Sequence, residues 1–179
     1  MLDSFRRWIG VQATRYRFRT VRDPILSFRG GFAAARSALV VLPFDRDQPP
    51  PLLELAEALK GRFAQDHITI VAAEHQLDIG RLLPRSHVLR VPARDLTTLY
   101  LPRKDVIEAI TARQYDLAID LNLDFLMPSA YICRVSGARI RMGYDRAGAE
   151  HFFNFIIRRK PGIAREKAYH RLAEFLRTF

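Results

Sequence analysis

Residues 115–145, YDLAIDLNLDFLMPSAYICRVSGARIRMGYD, decide the fold. Leu117, Ala118, Ile119 and Leu121 form a short unbroken apolar run, the pattern of a strand buried on both faces. A polar turn at 122–124 leads to a helix with Pro128 in its first turn, where the missing N–H goes unused. Gly137 stands just past the end of that helix, the place for a left-handed closing residue. Residues 139–144 then alternate, with Ile140 and Met142 on one face and Arg139 and Arg141 on the other. A strand–helix–strand unit this short implies a parallel sheet with a right-handed crossover. Ligands of such sheets lie beyond the carboxyl ends of the strands. Asp120, Asn122, Asp124 and Asp145 all fall at such ends.

The same alternation extends outward from this unit. SALVVLP at 37–43 reads as the first central strand. The helix at 52–62 sets Leu52, Leu55, Ala56 and Leu59 at core spacing, with Glu54 and Glu57 early and Lys60 and Arg62 late, as the macrodipole prefers. Strands are predicted at 67–73 and 87–91, and helices at 76–83, 102–113 and 163–177. An aromatic segment holds Phe152, Phe153 and Phe155. The expected fold is a three-layer, Rossmann-like α/β domain with a parallel sheet over residues 37–179.

The chain of 179 residues carries 29 Lys and Arg against 19 Asp and Glu, a formal charge of +10. Half the composition is hydrophobic, which describes a globular domain and not a disordered one. The positive excess points to anionic partners: phosphates, anionic lipid or nucleic acid. Nucleic acid fits poorly, since neither zinc-finger spacing nor a recognition-helix motif is present. The single cysteine, Cys133, forms no internal disulfide and suits a reducing, cytoplasmic setting. No apolar run approaches a membrane span, and no signal peptide is expected.

Residues 1–36 stand apart as a basic amphipathic segment. Eight arginines, from Arg6 to Arg36, are opposed only by Asp3 and Asp23. Leu2, Phe5, Trp8, Ile9 and Tyr16 share one side of a helical projection. This is the pattern of a helix lying in an anionic membrane interface, peripheral on the cytoplasmic face. A helix packed on the domain or on a partner through the same stripe gives the same pattern. Gly30-Gly31 reads as a break before the domain.

Several chemistries lack their residues. The loop FDRDQPPP at 44–51 has no glycine, so no phosphate-cradling loop follows the first strand and no nucleotide cofactor is expected. The five histidines show no ligand spacing with one another or with Cys133, so no metal is expected.

The stretch from Tyr115 to Asp145 resembles the N-terminal, acceptor-side domain of glycosyltransferase family 9, the lipopolysaccharide heptosyltransferases. The likeness rests on Tyr115-Asp116-Leu117-Ala118-Ile119-Asp120-Leu121, Ser129, Ser136-Gly137 and Gly143-Tyr144-Asp145. The resemblance implies one half of a two-domain GT-B enzyme that transfers sugar to lipopolysaccharide or another lipid-linked saccharide. By it, Asp47, or failing that Asp45, stands where the family carries its general base. The glycine that precedes that base in the family is absent here, and Gln48-Pro49 follow. Asp120, Asn122, Ser129 and Asp145 would hold the acceptor saccharide, with Arg46, Arg141 and Arg146 at the rim for its phosphates. Asn122 replaces the family's loop amide, and Met127-Pro128 replace its lysine step. Such a half binds no nucleotide-sugar by itself, so a separate donor-domain chain is an implied partner and no transfer is expected from this chain alone. A non-catalytic, membrane-peripheral binding or scaffold module on the same fold is the alternative. Asp120→Ala is expected to weaken saccharide binding and spare the fold, whereas Leu117→Ala should destabilise it.

Overall fold

The computed structural model describes residues 2–21, 23, 27–44, 51–76, 79–160 and 162–178. Two helices, α1 (Leu2–Phe18) and α2 (Phe28–Ala34), precede the sheet. Then follow β1 (Ala38–Val41), α3 (Leu52–Arg62), β2 (Ile68–Ala72), α4 (Ile79–Leu82) and β3 (His87–Arg90). The second half runs α5 (Lys104–Thr111), β4 (Leu117–Asp120), α6 (Met127–Val135), β5 (Ile140–Tyr144), β6 (Phe155–Ile157) and α7 (Arg165–Arg177).

All six strands are parallel, in the order β3-β2-β1-β4-β5-β6. This is the doubly wound Rossmann order. Helices cover both faces, and alternate strand residues feed two separate cores. Val40, Ile70, Leu117, Ile119 and Met142 point to the face closed by α3 and α7, where Leu55, Leu59, Leu172 and Leu176 meet them. Leu39, Val41, Val71 and Ala118 point to the other face, against Val106, Ile110, Ala130 and Ile132 of α5 and α6. Burial on both faces is why these strands read as continuous apolar runs.

Gly137 takes the left-handed conformation, φ 71°, one residue beyond the end of α6, as its position predicts. Cys133 is fully buried in the second core. Two expectations change. Gly30-Gly31 lie inside α2, whose Phe32 is buried in the first core, so the chain before residue 37 already contributes to the domain. The aromatic segment after β5 contains the edge strand β6, too short at three residues to show a period in sequence.

Candidate functional site

The sheet order reverses between β1 and β4, so the chain leaves these neighbouring strands in different directions and opens a crevice at their carboxyl ends. Asp120, the last residue of β4, is 1% exposed there. Its Oδ1 accepts hydrogen bonds from the backbone N–H (3.0 Å) and side-chain amide (2.7 Å) of Asn122. Its Oδ2 accepts from the Ser129 hydroxyl (3.0 Å) and from Nη2 of Arg146 (3.0 Å). A carboxylate has about four acceptor sites, and all four are taken. Asn122 also donates to the carbonyl of Leu42 (3.3 Å) and accepts from the N–H of Phe44 (3.0 Å), tying the loop after β1 to the loop after β4.

Arg146, with a side chain 6% exposed, locks the third side. Its guanidinium donates to the carbonyls of Tyr144 (3.2 Å), Asn122 (2.8 Å) and Asp124, besides the ion pair to Asp120. The Phe153 ring lies beneath it, 5.5 Å from the guanidinium carbon.

Beside this network lies a cavity of about 350 Å³. Phe44, Tyr100, Leu123, Phe125 and Met127 make its apolar walls, and Asn122, Asp124 and Arg165 bring polar groups to it. Arg165 and Asp124 are 3.6 Å apart. Tyr100 sits at φ 59°, a left-handed conformation that is strained for a bulky L-residue. A closed turn holds it there: the Tyr100 N–H donates to Thr97 (2.9 Å), the Thr97 N–H to Leu101 (2.7 Å), and Leu96 pairs with Pro102. Such residues persist only where the surrounding structure over-determines them.

The residues expected from sequence therefore divide. Asp120, Asn122, Ser129 and Arg146 converge, but as a self-satisfied buried network, so Asp120 has no unused oxygen for a sugar hydroxyl. The expectation that Asp120→Ala spares the fold fails on the same geometry. Asp145 lies on the exposed turn after β5. Arg141 is not at the rim. It is 4% exposed, donates to the carbonyls of Phe152 (2.9 Å) and Ala138 (3.0 Å), and pairs with Asp23 at 2.6 Å. The alternation of residues 139–144 suggested an outward arginine, but both faces of β5 are covered. Asp45, Arg46 and Asp47 lie outside the described residues. Phe44, Tyr100, Phe125 and Arg165 were missed. The one cue for Phe44 and Phe125 was an aromatic in the loop between a strand and the next helix, and nothing in sequence reveals the strained turn at Tyr100.

The amino-terminal helix docks through a stripe other than its aromatic one. Gly10 faces the loop before α5, where an added Cβ would lie 2.7 Å from the carbonyl oxygen of Leu99. Thr14 is buried and turns its hydroxyl back to the Gly10 carbonyl (2.9 Å), while Arg17 donates to the Tyr131 hydroxyl (2.7 Å). Asp23 then bridges Arg134 (2.9 Å) and Arg141. Burial pushes the Asp23 carboxyl up, but Arg141 and then Arg134 outweigh it and hold the carboxyl below its ordinary value. Phe5, Trp8 and Tyr16 stay 58%, 58% and 65% exposed, with the Phe5 and Trp8 rings stacked at 6.1 Å. No helix among the described residues is long and apolar enough to cross a membrane. No family model, no curated protein and no solved structure matches this chain.

Proposed function

We propose that the chain is a membrane-peripheral, acceptor-side module of the glycosyltransferase family 9 type, holding the sugar of a lipid-linked saccharide in the cleft beside β1 and β4. The observation that carries this reading is the seat of α1. Its exposed Phe5, Trp8 and Tyr16 suit an anionic membrane interface on the cytoplasmic side. Its buried stripe rests on Leu99 and Met127, beside Tyr100 on the wall of the cleft. A saccharide displayed at a bilayer surface would then meet the cleft without leaving its lipid. Apolar and aromatic walls with a few convergent polar groups are what such a ligand needs.

For transfer, Asp47 or Asp45 would serve as base, since both follow Phe44 in the chain and a base must reach the attacking hydroxyl. The donor diphosphate would need a nucleotide-sugar domain, because the loop after β1 has no glycines to cradle it. A non-catalytic scaffold on the same fold draws support from Asp120, whose oxygens are all engaged in structure.

The test is co-sedimentation with phosphatidylglycerol vesicles, with and without embedded lipooligosaccharide. The parent should pellet with both, more with the saccharide present, and less as salt rises above about 0.1 M. Phe5→Ser/Trp8→Ser should abolish pelleting, and Tyr100→Ala should remove only the saccharide increment. A parent that ignores the vesicles, or a saccharide that adds nothing, overturns the proposal.

A further inference from the structure

A second cavity, of about 310 Å³, opens at the carboxyl ends of β5 and β6, between β6 and α7. Its floor is apolar: Phe155, Ile157, Leu172 and Phe175, with the Phe155 and Phe175 rings stacked at 5.8 Å. Three arginines also line it, Arg158 and Arg159 just past β6 and Arg171 on α7. The buried arginines have internal partners: Arg134 and Arg141 share Asp23, and Arg146 takes Asp120 and three carbonyls. Arg158, Arg159 and Arg171 make no ion pair or hydrogen bond with any described residue. The nearest acidic residue along α7, Glu174, turns instead to His170 at 3.5 Å. Three arginines without a counter-ion on the lining of one cavity offer charged hydrogen bonds to an anion that enters it. The apolar floor requires that the anion carry a hydrocarbon.

We propose that this cavity binds a phosphate monoester of an alkyl or prenyl chain, the phosphate on Arg158, Arg159 and Arg171 and the chain against Phe155 and Phe175. The volume falls within the range of small-ligand pockets. The site stands independently of the saccharide reading, because it lies at the ends of other strands and uses none of the same walls. The occupant is a single chain and not a bilayer surface, since the hydrocarbon must enter between a strand and a helix.

Calorimetry with monomeric octyl phosphate, below its aggregation threshold, tests the proposal on the full chain. One molecule should bind per chain, and affinity should rise about fourfold per added methylene from butyl to octyl phosphate. Arg159→Gln/Arg171→Gln should weaken binding at least about tenfold, as loss of charged hydrogen bonds does. The exposed Arg113→Gln, at the opposite edge of the sheet, should leave it unchanged. The variants are on exposed side chains, and a melting curve confirms that they stay folded. Inorganic phosphate binding as tightly as octyl phosphate overturns the hydrocarbon half, and an unchanged double variant overturns the arginine half. An acidic octapeptide that binds more tightly than octyl phosphate overturns the proposal in favour of a protein partner.

Discussion

Asp120→Ala is the sharpest test of how the carboxyl edge is held together. The substitution removes one member of an ion pair whose side chains are 0% and 6% exposed, leaving the Arg146 charge buried without its anion. It also strips a hydrogen-bond acceptor from Ser129 and from both nitrogens of Asn122. Breaking a buried pair from one side costs about 3–5 kcal/mol, because the surviving charge keeps its desolvation penalty. The carbonyls of Tyr144, Asn122 and Asp124 still receive the guanidinium, which favours the lower end of that range. For a domain of this size the melting temperature should fall by roughly 6–20 °C. Leu117→Ala, three residues earlier in the same strand, should cost about 2–5 kcal/mol by opening a cavity. Residues expected to behave oppositely thus fall in one energy range. The assay is thermal unfolding by circular dichroism, with Asp120→Asn/Arg146→Met as the discriminating variant. Removing both charges should restore at least half of the loss, which a simple packing defect at Asp120 cannot do. An Asp120→Ala protein that melts within a degree or so of the parent would refute the reasoning.

Two further outcomes follow from the packing of the first 36 residues. Gly10→Ala adds a methyl 2.7 Å from a backbone oxygen that cannot swing away, and overpacking of about 1–3 kcal/mol outweighs the helix-propensity gain of about 1 kcal/mol. Since α1 is peripheral, the strain should appear as undocking, with faster tryptic cleavage at Arg17 and Arg19 and little change in the global melt. Asp23 and Asp116 both titrate below the ordinary aspartate value of 3.8 in the folded chain. For Asp116, burial pushes the carboxyl up, but the N–H groups of Arg36 and Ser37 and the Ser37 hydroxyl outweigh it. A lowered folded value means stability present above pH 3.8 and lost as pH falls through the folded value. Urea midpoints measured from about pH 6 to about pH 2 should therefore fall at the acid end, and less steeply in Asp23→Asn. An identical slope in that variant would contradict the role given to Asp23.

The sheet was legible in sequence because its strands are buried on both faces. Short aliphatic runs such as ALVV at β1 and LAI within β4 have few other homes in a chain of this polarity. The helix between β4 and β5 announced both of its ends through Pro128 and Gly137. Edge elements gave weaker signals. β6 has three half-buried residues, and β3 is half-exposed along its length, so periodicity has little to act on.

The site was only half legible, for a physical reason that Asp120 and Arg141 share. A sequence shows that a charged residue falls at a strand end, but not whether a partner distant in the chain has already claimed it. Arg146 lies 26 residues from Asp120, and Asp23 lies 118 residues from Arg141. Both pairs convert expected ligand-binding groups into staples, one closing the crevice floor and one pinning the segment after α1. The three arginines beside β6 have no such partner among the described residues and face the second cavity. In a chain of charge +10, with arginine in excess over carboxylate, some guanidinium groups must remain without an internal anion. Fold stability claims the acids first, since a buried arginine without a partner is costlier than an exposed one. The arginines that remain at the surface are therefore where an external anion should bind, and Arg158, Arg159 and Arg171 meet that condition around an apolar cavity.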